Sequence, residues 1–305
     1  MKKLFEKRAS SCTLIILLVS IFFLSCKYDV RDLEPKPTAS FTVTPVAGAP
    51  NKYLLTSTSQ NSFRYDWDKA GGTGYVQGKQ VDTVYFPYLG SYTVRLFVFG
   101  QNGTDSAKQV IAVATNDPTA CVGTQLGFIT SCTSKIWKLD PVAAAYKVGP
   151  GPDDGSWWSN GAGDVTARSC EFNDEYIFEF SANRTFRYDN KGDFFGDGYL
   201  GNNTGTCQPS SNYTAVQAPW GSGTFKYSFT QGAGVRGLGQ LTVTGLGAHI
   251  GLQKVRNGGE VTTGPATSIT YDVLAAVRHP SGYDLLTLGV DIGGGGWWTF
   301  RLRSF

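Results

Sequence analysis

Tryptophan is the residue whose placement carries the most chemical information in this 305-residue chain. Of seven, five lie in the second half, at Trp157, Trp158, Trp220, Trp297 and Trp298, with Trp137 just ahead of them. The stretch Gly149-Pro150-Gly151-Pro152-Asp153-Asp154-Gly155-Ser156 leads into the Trp157-Trp158 pair, and Ala218-Pro219-Trp220-Gly221 puts another indole in a turn. Loops and turns are where a scaffold displays side chains. An indole presents a flat apolar face and one N–H donor, which suits the face of C–H bonds on a sugar ring. Asp153 and Asp154 are placed to hydrogen-bond hydroxyls and fix orientation. The alternative is that these rings plug the ends of a β-sandwich. In Trp297-Trp298-Thr299-Phe300-Arg301-Leu302-Arg303, side chains alternate between the two faces of a strand. Trp298, Phe300 and Leu302 are the apolar set, expected in the core, so Trp297, Thr299 and Arg301 face outward. The expected carbohydrate contacts are therefore Trp157, Trp158, Trp220, Trp297, Asp153, Asp154 and Arg301.

Catalysis finds less support. Glycosidases need two carboxyls about 5–5.5 Å apart when retaining, or roughly 6.5–9.5 Å when inverting. Glu175 and Glu179 share one strand face, but four residues at about 3.3 Å each separate their backbones by about 13 Å. No Gly-x-Ser-x-Gly elbow occurs, and two histidines, His249 and His279, offer little for a triad or a metal. The run Asp189-Asn190-Lys191-Gly192-Asp193-Phe194-Phe195-Gly196-Asp197-Gly198 has oxygen ligands for calcium, yet Lys191 interrupts the EF-hand spacing and turn chemistry explains it equally. No catalytic residue, metal or cofactor is assigned, with calcium the alternative at that run.

The N-terminus and the cysteines speak to compartment. Lys2, Lys3, Lys7 and Arg8 precede an apolar run from Leu14 to Leu24 broken by Ser20, too short to span a bilayer, which takes about 20 residues. A basic segment, a short apolar core and small residues before a cut site describe an export signal. Leu24-Ser25-Cys26 resembles the bacterial lipobox, which implies cleavage after residue 25 and lipidation of Cys26. The charged, proline-containing stretch that follows is a tether; its Asp29, Asp32 and Glu34 resemble the surface-export signal of Bacteroidota lipoproteins. Loss of residues 1–25 removes four basic residues and one acidic residue, so the net charge falls from +3 to 0. A neutral chain lacks the electrostatic footprint of a nucleic-acid binder. Cys121, Cys132, Cys170 and Cys207 then remain, and four cysteines in an exported chain read as two disulfides with three connectivities. Cys121–Cys132 and Cys170–Cys207 are chosen because each closes a short loop, contributing roughly 3 and 4 kcal/mol by loop entropy.

The positioning elements are strands. Gly numbers 38 and Tyr plus Phe 34, against one Met. Period-two alternation marks 40–43, 61–68 and 91–99. The turn Gly100-Gln101-Asn102-Gly103 carries the Asn-Gly hairpin signal, and 105–112 forms the last strand before residue 116. Further strands fall at 175–180, 185–188, 224–229, 240–244, 268–277, 284–290 and 297–303, with helix confined to Val142–Tyr146. The expected fold is all-β: an immunoglobulin-like β-sandwich followed by a larger jelly-roll-type β-sandwich. Its divisions are a signal at 1–25, a tether at 26–36, the first sandwich at 37–115, a linker at 116–134 and the second at 135–305.

Two further resemblances follow from these residues. Tyr65-Asp66-Trp67-Asp68 with Gly71-Gly72, then Gly90-Ser91-Tyr92-Thr93-Val94, resembles the polycystic-kidney-disease (PKD) domain, although Lys69-Ala70 departs from its first motif. That family implies a spacer, with Trp67 in the core. Ile136-Trp137-Lys138-Leu139, Val148-Gly149-Pro150, Ser156-Trp157-Trp158, residues 170–180 and Trp297-Trp298-Thr299-Phe300 resemble the C-terminal modules of SusE-like surface glycan-binding lipoproteins of Bacteroidota. The resemblance implies an outer-membrane protein, anchored by lipid and facing outward, that captures a neutral polysaccharide of the laminarin type without cleaving it. It also implies a SusC/SusD-type importer as partner. A structural or adhesive surface protein and a glycoside hydrolase are the alternatives.

Overall fold

The computed structural model describes residues 35–200, 204–261 and 263–305. The export signal at 1–25, Cys26 and the acidic tether residues lie outside the described residues. Among those described, no helix is long and apolar enough to cross a membrane. The chain divides into two compact units. Among the described residues, one takes in 35–44, Leu54–Val84 and Thr93–Val110; the other takes in Pro45–Tyr53, Tyr85–Tyr92 and the described residues from Ile111 to Phe305.

The first seven strands are β1 (Phe41–Pro45), β2 (Lys52–Ser57), β3 (Arg64–Asp68), β4 (Val76–Gly78), β5 (Val81–Tyr85), β6 (Gly90–Gly100) and β7 (Gly103–Val113). They form a three-stranded sheet, β1-β2-β5, and a four-stranded sheet, β4-β3-β6-β7. Alternation buries Val94, Leu96 and Val98 of β6, with Phe41, Leu55, Trp67 and Val84, in the manner of an immunoglobulin-like sandwich. Trp67 meets Phe41 edge to face at 5.2 Å, and its indole N–H donates to the Lys79 carbonyl at 2.9 Å. Trp67 is a core residue.

The remaining strands are β8 (Ser134–Leu139), β9 (Tyr146–Gly149), β10 (Trp158–Ser159), β11 (Glu175–Glu179), β12 (Thr185–Asp189), β13 (Asp193–Phe195), β14 (Cys207–Pro209), β15 (Gly223–Thr230), β16 (Gln240–Thr244), β17 (Val255–Arg256), β18 (Gly259–Glu260), β19 (Ser268–Arg278), β20 (Asp284–Gly293) and β21 (Gly296–Ser304). The main sheet runs β10-β9-β21-β20-β19-β16-β15-β12-β11-β8, and β21 also pairs with β8. The fold class is all-β, and the strand order refines the jelly-roll expectation. A jelly roll interleaves two Greek keys; here each strand of the series β8, β11, β12, β15, β16, β19, β20, β21 lies beside its successor. Leu302 opposite Leu139 and Ser304 opposite Trp137 close the ring, so opposite walls face one another across one core.

Period-two alternation fills that ring. Trp137, Tyr176, Phe178, Phe186, Tyr188, Leu241, Val243, Tyr271, Leu286, Leu288, Phe300 and Leu302 all sit in one buried cluster. Into it goes the loop between β16 and β17, where Ala248, His249, Ile250, Leu252 and Gln253 are buried. Its backbone is satisfied from inside: Ile250 N–H donates to the Tyr271 hydroxyl at 2.7 Å and Gly251 N–H to the Tyr176 hydroxyl at 3.0 Å. The loop is a plug.

Helix is brief and lies elsewhere than expected. Residues 141–145 form a turn, with Ala144 at φ +55°, while short helices occupy Gln125–Thr130, Asp164–Ala167 and Ser169–Phe172. The Val142–Tyr146 expectation is corrected because those apolar residues bridge β8 to β9, both of which pair with β21. Disulfides join Cys121 to Cys132 and Cys170 to Cys207.

Candidate functional site

At the plug's edge the second unit holds a cavity of about 580 Å³. Ligand pockets run roughly 300–1,000 Å³. Its lining comes from separate segments. The β9–β10 hairpin gives Val148, Trp157 and Trp158; β20 and β21 give Ile292 and Trp298; the plug and its hairpin give Leu252, Lys254 and Glu260; Arg168 and Asp197 complete it around Tyr146. β9 is pinned to β21 with Val148 opposite Trp298, so the strand that closes the ring also positions the hairpin carrying the Trp pair.

The aromatic rings form a cup. Trp158 lies 5.5 Å from Tyr146, tilted by 44°, and 6.1 Å from Trp298, tilted by 57°. Tyr146 is buried and Trp298 is 4% exposed, so both belong to the floor, whereas Trp157 and Trp158 are 57% and 42% exposed. Trp157 lies against the bare Cα of Gly296: a Cβ there would stand 3.0 Å from its ring.

Each cation of the cavity is matched. Arg168 donates from Nε to Glu171 at 2.6 Å and from its terminal nitrogen to Asp197 at 2.8 Å. Burial alone would favour losing its proton, but these two carboxylates outweigh burial and hold the guanidinium above its ordinary range. The Tyr146 hydroxyl donates to Glu171 at 3.0 Å; burial, then the Glu171 charge, push that phenol well above its usual value. Lys254 pairs with Glu260 at 3.0 Å and sits 5.0 Å over the Trp298 ring. Glu260 also accepts from the Trp298 indole N–H at 2.6 Å. The outcome is a cavity of apolar ring faces with polar groups at its wall and no uncompensated cation, suited to a neutral, hydroxyl-bearing ligand with apolar faces.

The structure brings together Trp157 and Trp158 and separates the other expected contacts. Trp220 is 1% exposed in a small cluster with Phe194, Leu200 and Val261, which corrects its reading as a displayed ring; the turn folds back rather than outward. Trp297 lies on the opposite strand face from Trp298, over Gly289 and Leu274, and the cavity takes Trp298 instead. Asp153 pairs with Lys147 at 3.0 Å, and Arg301 with buried Asp140 at 2.8 Å, and both Asp153 and Arg301 line a separate cleft. Asp154 accepts from Ser156 N–H at 2.7 Å and shapes the loop. Tyr146, Arg168, Asp197, Lys254, Glu260 and Trp298 are lining residues that the sequence did not single out as contacts.

The carboxylates weighed for catalysis or calcium are occupied. Glu175 pairs with Lys138 and Lys191, and Glu179 with Arg187. In the Asp-rich run, Asp189 holds Lys191, Asp193 faces Asn173 and Asp197 holds Arg168, so these three do not converge on one point. Among the described residues no group of three or more His, Cys, Asp or Glu is arranged to hold a metal ion.

No family model matches the sequence, and none of the curated proteins matches it. Among solved structures, the chain is similar to the PKD1 domain of Vibrio anguillarum Epp, with 18% identity over 28% of this chain and 99% of that one and a TM-score of 0.24. It is similar to the PKD1 domain of the Vibrio cholerae metalloprotease PrtV, with 25% identity over 26% and 99% and a TM-score of 0.23. A third likeness, with 10% identity over 90% and 92% and a TM-score of 0.25, is to a structure reported for the promiscuous specificity of carbohydrate-binding modules from the β-sandwich superfamily. The all-β class of this chain rests on the strand order and register above.

Proposed function

We propose that this chain is a surface lipoprotein that captures a neutral glycan without cleaving it. The observation that carries the reading is the cup of Trp157, Trp158, Trp298 and Tyr146 around one cavity whose cations are all ion-paired. Ring faces stack on sugar C–H faces, and Glu260, Asp197 and Lys254 supply hydroxyl partners. The non-catalytic reading is supported by the same wall: Asp197 is paired with Arg168 and Glu260 with Lys254.

The lipid on Cys26 and the outward-facing outer-membrane location are read from the resemblance of the N-terminal sequence to lipobox and surface-export signals, and the tether from its charged, proline-containing composition. The first sandwich is read as a PKD-like spacer, the glycan as laminarin-type β-1,3-glucan, and the recipient as a SusC/SusD-type importer, each by resemblance to those families. The test is affinity electrophoresis of residues 27–305 through gels containing laminarin, amylopectin, xylan, mannan and a polyuronate. Retardation by a neutral polymer and not by the polyuronate is expected; free migration through all of them removes the glycan reading. For the anchor, labelling cells with an alkyne fatty acid should mark the wild type and not Cys26→Ala.

A further inference from the structure

The cavity's shape bears on which part of a glycan it takes. A site for the interior of a polymer lays exposed rings along an open groove, so that the chain enters at one end and leaves at the other. Here the rings are mutually tilted by 44° and 57°, and two of the four belong to the floor. Below that floor there is no room to go deeper. Trp298 stacks on Phe300 at 6.1 Å, Phe300 is buried against the plug at Gly251, and Leu252 of the plug itself lines the cavity. The walls come from segments far apart in sequence: Trp157 and Trp158 on one, Lys254 and Glu260 on another, Ile292 on a third, and the Arg168–Asp197 pair. The charged groups are tied across the wall by ion pairs, so opening a path for a continuing chain would separate buried or half-buried partners.

We infer that the cavity takes the end of a glycan chain, or a short oligosaccharide, rather than a stretch within a polymer. This rests on the glycan reading above and adds to it a consequence for length: sugars beyond those in the cup gain no further ring to stack on.

The test uses the lipid-free protein, residues 27–305, and a length series from disaccharide to hexasaccharide of whichever polymer retards it, titrated by calorimetry. Affinity is expected to level off at the short end of the series. In parallel, mild acid fragmentation of the polymer at constant mass should raise the number of protein molecules bound, because it multiplies chain ends. Affinity that keeps climbing to the hexasaccharide by a tenfold step, about 1.4 kcal/mol, would overturn the chain-end assignment. Capacity that follows polymer mass regardless of fragmentation would overturn it too. In either case glycan binding itself would stand. Binding to none of the polymers by protein with an unchanged circular dichroism spectrum would overturn both.

Discussion

Trp158 and Trp297 are chemically identical side chains on two strands of one sheet, β10 and β21, with β9 between them, and they are expected to behave oppositely. Trp158 is a wall of the cup, in contact range of Tyr146 and Trp298. Trp297 lies over Gly289 and Leu274 on the other face of β21. Trp158→Ala should weaken glycan binding by about 1 kcal/mol, several-fold in Kd, by analogy with aromatic pairs. Trp297→Ala should leave binding alone and lower the unfolding temperature; calorimetric titration and a thermal melt separate the two. A second residue-scale prediction concerns His249. Burial lowers its pKa to about 4, opposed by its hydrogen bond to the Gly247 carbonyl, and its other ring nitrogen has no partner. The unfolded chain takes up this proton near pH 6.5, whereas the native state does so only near 4. Stability from this group is therefore complete above about pH 7 and falls as the pH drops towards 4, by up to about 3 kcal/mol. Asp174 runs the other way: burial raises its pKa well above the ordinary value, so its contribution is present at low pH and is lost as the pH rises. Denaturant unfolding of wild type and His249→Gln between pH 7 and pH 4 should show a steeper acid loss in the wild type. Equal slopes would place the acid sensitivity elsewhere.

At the level of elements, β21 and the plug determine the site. The alternation of Trp298, Phe300 and Leu302 was legible because a strand's period is two and the apolar set is unbroken. That Trp298 also floors a cavity was not, because this depends on Gly247–Leu252, a segment with no period of its own. Tyr146 was hidden for a different reason: Val142–Tyr146 is short and apolar, and such a run does not distinguish helix from a bridging turn. The plug gives a graded pair of tests. Gly251 has φ +81°, and an added Cβ would lie 2.3 Å from the Phe300 ring, so Gly251→Ala combines a left-handed backbone with overpacking. It should cost about 2–4 kcal/mol. Gly296 has no such backbone, and its Cβ would press on Trp157 at 3.0 Å and Ile292 at 3.1 Å. Since Trp157 is half exposed it can move, so Gly296→Ala should keep its melting temperature and lose affinity. A loss of stability equal to that of Gly251→Ala would show that Trp157 is held as firmly as the core.

Over the whole molecule, the closed ring explains why the all-β class was readable while the closure was not. Turn signals reveal the pairings between consecutive strands such as β11–β12, β15–β16, β19–β20 and β20–β21, but the pairing of β21 with β8 spans the entire module and leaves no local mark. The two disulfides stand in different relations to that ring. Cys170–Cys207 ties the Ser169–Phe172 helix to β14, and that helix carries Glu171, which holds both Arg168 and Tyr146 at the cavity. Cys121–Cys132 brackets the Gln125–Thr130 helix and contributes no lining residue to the cavity. Loop entropy makes the bridge of separation 37 the stronger, about 4 kcal/mol against about 3 for the bridge of separation 11. The double variant Cys170→Ser/Cys207→Ser should therefore lose both stability and glycan affinity, because the arm holding Arg168 is released. Cys121→Ser/Cys132→Ser should lose stability while retaining affinity at temperatures where it remains folded. Denaturant midpoints read the first quantity and calorimetric titration the second. Equal loss of affinity in both would mean that the cavity depends on global stability rather than on the Glu171 arm, and Arg168 would then have no separate part in shaping the cup.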